Sequence, residues 1–308
     1  MDELTKKLRL AAEQGDAKAQ SILGTMYDTG RGLAQDDAEA VKWYTLAAEQ
    51  GDAKSQAKLG AMYGNGLGVP QDYTEAVRWY RMAAEQGHAR AQFNLGAMYT
   101  NGQGVPQDYT EGVRWYRLAA EQGDASAQTN LSAMYGLGQG VPQDYAEAAR
   151  WFRMAAKQGD AKAQFNLGFM HEEGKGVPQD YLDAVEWYSK AAKQGYANAQ
   201  AKIGYMYITG RGVRQDNTKA VSWFRMAAAQ GNVSAQFNLG TLYRYAKGRG
   251  LKKDYVTAHM WFNVASANGS EEAAQARDTI AKKMTTAELN EAQRRARRCV
   301  DSRYKDCD

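Results

Sequence analysis

A glycine returns every 36 residues in this chain, and that spacing limits the fold more than any other feature. Gly15, Gly51, Gly87, Gly123, Gly159, Gly195 and Gly231 each close the phrase AAEQG or a variant of it, one 36-residue step apart. Gly269 comes two residues late. The delay places an insertion in YRYAKGRG, residues 243–250, where Tyr243 stands five residues before Gly248 although Tyr207 stands three before Gly210. The full repeats therefore run 16–51, 52–87, 88–123, 124–159, 160–195, 196–231 and 232–269. All seven tryptophans share one register, Trp43, Trp79, Trp115, Trp151, Trp187, Trp223 and Trp261, and all four prolines share another, Pro70, Pro106, Pro142 and Pro178. A unit of this length cannot bury its apolar face alone and must stack on its neighbours, so a solenoid is expected.

The spacing inside each repeat is helical. In the third repeat Ala91, Leu95, Met98 and Tyr99 fall on one stripe of a first helix. Val113, Tyr116 and Ala120 form a row on the second helix, with Trp115 and Ala119 beside them. Gly96 adjoins the first stripe, where the missing side chain is expected to admit a neighbouring backbone at a helix-propensity cost of ~1 kcal/mol. Asp72, Asp108 and Asp144 precede second helices, with Glu75, Glu111 and Glu147 three residues on, which predicts a capping box led by Asp. Each second helix ends at a glycine suited to a left-handed turn. The stretches GNGLGVPQD, TNGQGVPQD and GLGQGVPQD are glycine-rich turns closed by a proline. No strand pattern is present.

Written as A-x-x-x-L-G-x-M-Y-x-x-G-x-G-V-P-x-D-Y-x-x-A-x-x-W-Y-x-x-A-A-x-x-G, the unit closely resembles the Sel1-like repeat family, relatives of the tetratricopeptide repeats. Residues 91–123 follow this pattern without a gap and depart from it only at Gly112, where other repeats mostly carry Ala. The resemblance implies an all-α, right-handed α/α superhelix. Residues 1–15 would be a partial repeat reduced to its second helix, residues 16–269 seven Sel1-like repeats, and residues 270–308 capping helices and a tail. It also implies that first helices line a concave groove that holds a protein or peptide, so the expected role is a non-catalytic scaffold or adaptor.

On that wall the columns containing Phe93, Phe165 and Phe237, and then Phe169 and Tyr205, lie opposite the core stripe of the first helix. They are expected to form an apolar binding stripe. Asn94, Asn166 and Asn238, with Asn130, form a ladder on the flank of the helix whose amides suit either a bound peptide backbone or a neighbouring helix. A carboxylate clamp is not expected, because the Phe93 column holds Ser21, Ala57 and Thr129 elsewhere. The cations Lys42, Arg78, Arg114 and Arg150, beside Arg81, Arg117, Arg153 and Arg225, are spaced for surface ion pairs, with Glu75, Glu111 and Glu147 three residues before and Glu85 and Glu121 four after. A denser cluster, Arg294, Arg295, Arg297 and Arg298, has fewer acidic neighbours.

Two other function classes would draw on residues of this chain. A secreted, cell-wall or β-lactam-acting Sel1-like protein would use the S-x-x-K matches at Ser55 with Lys58 or Ser302 with Lys305, but the partner signatures S-D-N and K-T-G are absent. An RNA-binding solenoid would use the arginine ladder. The three histidines, His88, His171 and His259, occupy different positions of the repeat, which argues against a shared catalytic site. No catalytic residue, cofactor or metal site is expected. A net charge of +4 over 308 residues gives no strong field, so a membrane or nucleic-acid partner is not expected, and the chain reads as a monomer.

Cys299 and Cys307 suit a small disulfide in an oxidising compartment or two free thiols in the cytosol, and the segment offers no further zinc ligands. The first residues, MDELTKKLRLAAEQG, contain no apolar h-region, and nothing approaches the ~18 apolar residues of a membrane span. A cytoplasmic location is expected from the sequence as given, or a periplasmic or secreted one if its start has been processed.

Overall fold

The computed structural model describes residues 3–246 and 251–307, so part of the expected insertion, including Gly248, lies outside the described residues. The described chain is helical throughout and contains no strand. After α1 (Glu3–Glu13) come seven helix pairs. The first helices are α2 (Ala17–Thr29), α4 (Ala53–Asn65), α6 (Ala89–Asn101), α8 (Ala125–Leu137), α10 (Ala161–Glu173), α12 (Ala197–Thr209) and α14 (Val233–Tyr245). Their partners are α3 (Asp37–Glu49), α5 (Tyr73–Glu85), α7 (Tyr109–Glu121), α9 (Tyr145–Lys157), α11 (Tyr181–Lys193), α13 (Asn217–Ala228) and α15 (Tyr255–Ala267). Helices α16 (Glu271–Ala281) and α17 (Thr286–Asp301) complete the chain. The fold divides within α9 into two compact halves, Met1–Ala155 and Ala156–Asp308. Within each half the helices pack in chain order, α4 on α5 and α5 on α6, or α11 on α12 and α12 on α13, which is the arrangement of a solenoid.

Short polar side chains start the helices. Asp36, Asp72, Asp108, Asp144 and Asp180 each accept two backbone N–H groups at 2.8–3.1 Å, a cap worth about 1 kcal/mol apiece. The reciprocal half of the expected capping box does not form at these sites. Glu75, Glu111 and Glu147 turn instead to Arg78, Arg114 and Arg150 at 3.0–3.1 Å, because a guanidinium one turn on offers a charge-assisted bond. A full capping box occurs at Thr285 and Glu288, at the start of α17. First helices are capped by Asp16, Asp52, Asp124, Asp160 and Asn232, and His88 fills the same role by accepting from the Ala91 amide through Nδ1 at 3.2 Å.

Two glycine columns set the packing distance. A Cβ at Gly96 would lie 2.8 Å from Cδ1 of Tyr116, and the same contact recurs between Gly24 and Tyr44, Gly60 and Tyr80, Gly168 and Tyr188, and Gly240 and Phe262. The nearest neighbour these glycines admit is a ring from the second helix, and at Gly96 and Gly168 the backbone anticipated from the sequence comes close as well, the Gly112 and Ala184 carbonyl oxygens lying 3.1 and 3.2 Å from such a Cβ. At Gly104 the approach is to backbone: a Cβ there would stand 2.2 Å from the Tyr73 carbonyl oxygen, so the turn of one repeat rests on the helix start of the repeat before it.

A chain of glutamine amides ties the stack together. Gln56, Gln92, Gln164 and Gln200 are buried, and each donates to the carbonyl of the second Ala in the preceding AAxQG phrase at 3.0–3.2 Å. Each accepts in turn from the glutamine that ends its own repeat, Gln86, Gln122, Gln194 or Gln230, at 2.7–2.9 Å. The relay satisfies polar groups that burial would otherwise leave bare.

Candidate functional site

The inner wall of each repeat is organised around one aromatic side chain of the second helix. Tyr44, Tyr80, Tyr116 and Tyr188 are buried rings whose hydroxyls emerge between successive first helices. Burial raises the phenol of Tyr80 to about 12, partly offset by the Asn94 amide and the nearby Arg90 charge. Tyr116 is raised by burial too, against hydrogen bonds from Thr100 and Asn130. The flank asparagines Asn94 and Asn130 thus stand beside the hydroxyl of a neighbouring helix. Where the ring is Phe224 and has no hydroxyl, Asn238 donates to the Ser234 carbonyl of its own helix at 2.8 Å.

In two repeats the node is charged. Glu172, 5% exposed, accepts from the Tyr188 hydroxyl at 2.6 Å and from Lys202 Nζ at 2.9 Å. Burial and the Glu172 carboxylate push the Tyr188 phenol far above its ordinary range. In the first repeat Asp28 accepts from Tyr44 at 3.2 Å and from Lys58 at 2.7 Å. The acid and the lysine are 30 residues apart in both cases, while the same positions hold Gly64 with Asn94, Thr100 with Asn130, and Gly136 with Asn166. Comparing these columns pairwise would have found the node in the sequence.

The expected aromatic stripe is only partly present. Phe93, Phe165 and Phe237 are half-buried, with ring centroids 5.8 Å from Tyr116, 5.4 Å from Tyr188 and 5.5 Å from Phe262. They do not face away from the core. A first helix is flanked on two sides in a stack, so its buried arc is wider than the single stripe a lone helical wheel suggests. Phe169 is half-buried in the α10–α12 core, with the Lys175 and Lys202 ammonium groups 5.4 and 5.8 Å from its ring. Tyr205 alone of the five rings is exposed, at 40%.

An open cavity of about 480 Å³ in the C-terminal half gathers several of these residues. Phe165, Glu172 and Glu173 come from α10, Lys202 and Tyr205 from α12, Asn238 from α14, and Arg211 from the turn after α12. Asn198 lies on the rim, its Oδ1 accepting from Asn232 at 2.9 Å. Phe93 and Asn94 belong to the other half, and Asn166, Phe169 and Phe237 are not among the lining residues. The N-terminal half has a cavity of about 400 Å³ at equivalent positions: Thr100, Asn101, Asn130, Ala133 and Gln139 stand where the C-terminal half has Glu172, Glu173, Lys202, Tyr205 and Arg211. The fold makes the same hollow twice, lined by Tyr109 and Tyr116 with neutral residues in one half and by Phe165 and Tyr205 with charged residues in the other.

Other candidates resolve into structure. Ser55 is fully buried and donates to Ser21 Oγ at 2.9 Å, while Lys58 bonds Asp28, so the serine and lysine do not form a nucleophile pair. Ser302 donates to the Cys299 carbonyl. Lys42, Arg78, Arg114 and Arg150 each pair with the Glu three residues earlier and lie 4.5–5.6 Å from a tryptophan ring centroid. Arg81 and Arg117 donate to the Tyr99 and Tyr135 hydroxyls at 2.6 Å rather than to Glu85 and Glu121. Arg294 and Arg295 bond Glu291, and Arg298 pairs with Asp306 at 3.2 Å. His171 and His259 are buried on α10 and α15, and no group of His, Cys, Asp and Glu among the described residues is arranged to hold a metal. None of the described helices is long and apolar enough to cross a membrane.

Stacked helix pairs with a repeating inner node define a tandem-repeat solenoid. The profile described as "Sel1 repeat" matches residues 17–52, 53–88, 89–124, 125–160, 161–196, 197–232 and 233–270, and the chain belongs to that family. Its repeats are framed one residue later than those read from the glycines. The fold is similar to that of a Sel1 repeat protein from Oxalobacter formigenes, 36% identical over 90% of this chain and 79% of that one, with a TM-score of 0.72. It is also similar to a protective antigen of uropathogenic Escherichia coli strains displaying an SLR fold, 30% identical over 96% and 87%, with a TM-score of 0.57. The comparison with curated proteins finds no match. Sel1 repeat proteins generally act as non-catalytic scaffolds that mediate protein–protein interactions.

Proposed function

We propose that this chain is a protein-binding scaffold whose C-terminal half takes an extended peptide segment of a partner across α10, α12 and α14. The observation that carries the reading is the cavity around Tyr205, an exposed ring beside side chains with spare hydrogen-bonding capacity. Lys202 is held by Glu172 with its ammonium at the cavity wall, the Asn198 amide nitrogen and Asn238 Oδ1 remain available, and Arg211 and Glu173 stand at the edge. Donors and acceptors gathered beside an aromatic plate suit a peptide backbone and one apolar side chain. The lining carries both signs of charge, which favours a segment of low net charge over a polyanion.

The equivalent hollow in the N-terminal half supports this reading, because its neutral residues make it a built-in comparison. A library of displayed random peptides selected on the whole protein tests it. Selected peptides should lose at least about tenfold in affinity for a Tyr205→Ser variant, the scale of a central aromatic anchor, and bind an Ala133→Ser variant normally. Equal binding to wild type and to Tyr205→Ser would defeat the reading. Tyr205 is the informative ring, since Phe165 and Phe169 also serve the core.

A further inference from the structure

The C-terminal tail is folded back onto the last repeats and closed by Cys299 and Cys307, whose Sγ atoms are joined at 1.95 Å. Cys299 is fully buried among α13, α14 and α15, and Cys307 and Tyr304 are half-buried against the same cluster. Between the cysteines the backbone makes a turn that L-residues avoid. Arg303 and Tyr304 have φ of 53° and 66°, the only non-glycine residues in the left-handed region among those described. Such a turn persists only when its surroundings over-determine it.

Tyr304 shows what the turn achieves. Its hydroxyl donates to Asn268 Oδ1 at 2.7 Å, and Asn268 is the residue whose Nδ2 donates to Gln236, the last member of the buried amide relay. Its ring stands 3.3 Å from where a Cβ of Gly231 would be, while Gly15, Gly51, Gly87, Gly123, Gly159, Gly195 and Gly269, at the same place in their repeats, have nothing within 4 Å. One side chain of the tail thus occupies ground that is open at the other repeat ends.

We infer that Cys299 and Cys307 form a reversible thiol–disulfide site that latches Tyr304 onto Gly231 and Asn268, and that a dithiol reductant releases it. The half-buried Cys307 is the sulfur within reach of an incoming thiolate. Attack there breaks the Sγ–Sγ bond, gives a mixed disulfide on Cys307 and leaves Cys299 as a thiolate that takes up a proton. The second thiol of the reductant then displaces Cys307, so two electrons and two protons pass to the protein and the reductant leaves as its own disulfide. With the ring open, the left-handed pair relaxes, and the ties from the tail to the repeats are reduced to the part-buried Tyr304 ring and its hydroxyl bond to Asn268, while the Arg298–Asp306 ion pair lies at the surface where it holds weakly.

Limited trypsin digestion of the full chain tests the latch, because Arg303 and Lys305 are exposed cleavage sites within the turn. The oxidised protein should lack two hydrogens by intact mass and resist cleavage there. Dithiothreitol, or a Cys307→Ser substitution that leaves buried Cys299 in place, should speed cleavage after Arg303 and Lys305 by about tenfold or more, with far-ultraviolet circular dichroism unchanged. A Tyr304→Ala variant should be cleaved faster even when oxidised, which separates docking from ring closure. Two free thiols in protein purified without reductant, or equal cleavage of the oxidised and Cys307→Ser forms, would overturn the inference.

Discussion

Gln122 donates from Nε2 to Oε1 of Gln92 at 2.7 Å, and Gln92 passes the bond on to the Ala84 carbonyl at 3.1 Å. Three consecutive helices are joined by two side chains, one of them 4% exposed. Replacing Gln92 with Ala leaves the Ala84 carbonyl and the Gln122 amide without these partners. The expected loss is about 1–3 kcal/mol of stability for a stranded buried polar group, measured by urea denaturation. A loss inside the scatter of surface substitutions would mean that water replaces the amide at no cost.

Gly96 and Gly136 offer an internal control for the tight glycine column. A Cβ at Gly96 meets the Tyr116 ring at 2.8 Å, whereas one at Gly136 meets only the Ala148 methyl at 4.0 Å. Gly96→Ala should destabilise by roughly 1–3 kcal/mol through overpacking. Gly136→Ala should be neutral or stabilise by up to ~1 kcal/mol through helix propensity. Thermal melts of the two variants compare them directly, and similar shifts of the same sign would refute the packing argument.

The charged node makes a reciprocal prediction. Lys202→Asn alone removes the counter-charge of the buried Glu172 carboxylate and leaves it the Tyr188 hydroxyl, which should cost roughly 2–4 kcal/mol, the upper end being reduced because the lysine side chain is 32% exposed. Adding Glu172→Thr recreates the combination that stands at Thr100 and Asn130, where Thr100 shares a hydrogen bond with the Tyr116 hydroxyl at 3.2 Å, so the double variant should recover most of the loss. A double variant no more stable than the single one would show that the pairs are not interchangeable among repeats.

His259 gives the pH dependence. Burial, and then the Arg277 charge, hold its imidazole below the usual 6.5. The unfolded chain therefore binds more protons near that pH than the folded one, so this contribution is complete above about pH 6.5 and is lost as pH falls towards the depressed folded value. A His259→Gln variant should show a smaller drop in melting temperature between pH 7.5 and pH 5.5 than wild type. Equal drops would remove His259 as the cause.

Much of the fold was legible because the residues that make it recur in register. The tryptophans, the glycines and the capping aspartates mark the same points in repeat after repeat, and turn chemistry fixes their meaning locally. The site was less so, for a physical reason. A helical wheel assigns one buried stripe to one helix, but α10 packs on α11 and on the residue that precedes α12, so Phe165 reaches both Tyr188 and Tyr196. The glutamine relay was visible as Gln20, Gln56, Gln92 and their successors, yet an amide reads as surface until its partners in the next helix are known. The Glu172–Lys202 pair spans 30 residues, beyond the reach of any rule about neighbours on a single helix.

Hydrogen exchange of the whole protein, with and without a peptide selected on it, tests the central claim most directly. Protection on binding should fall on α12, around Lys202 and Tyr205, with flanking protection on α10 and α14 and none on the outer second helices. Protection confined to α3, α5 and α7, or to the hollow between α6 and α8, would contradict the assignment of the Tyr205 cavity as the binding surface.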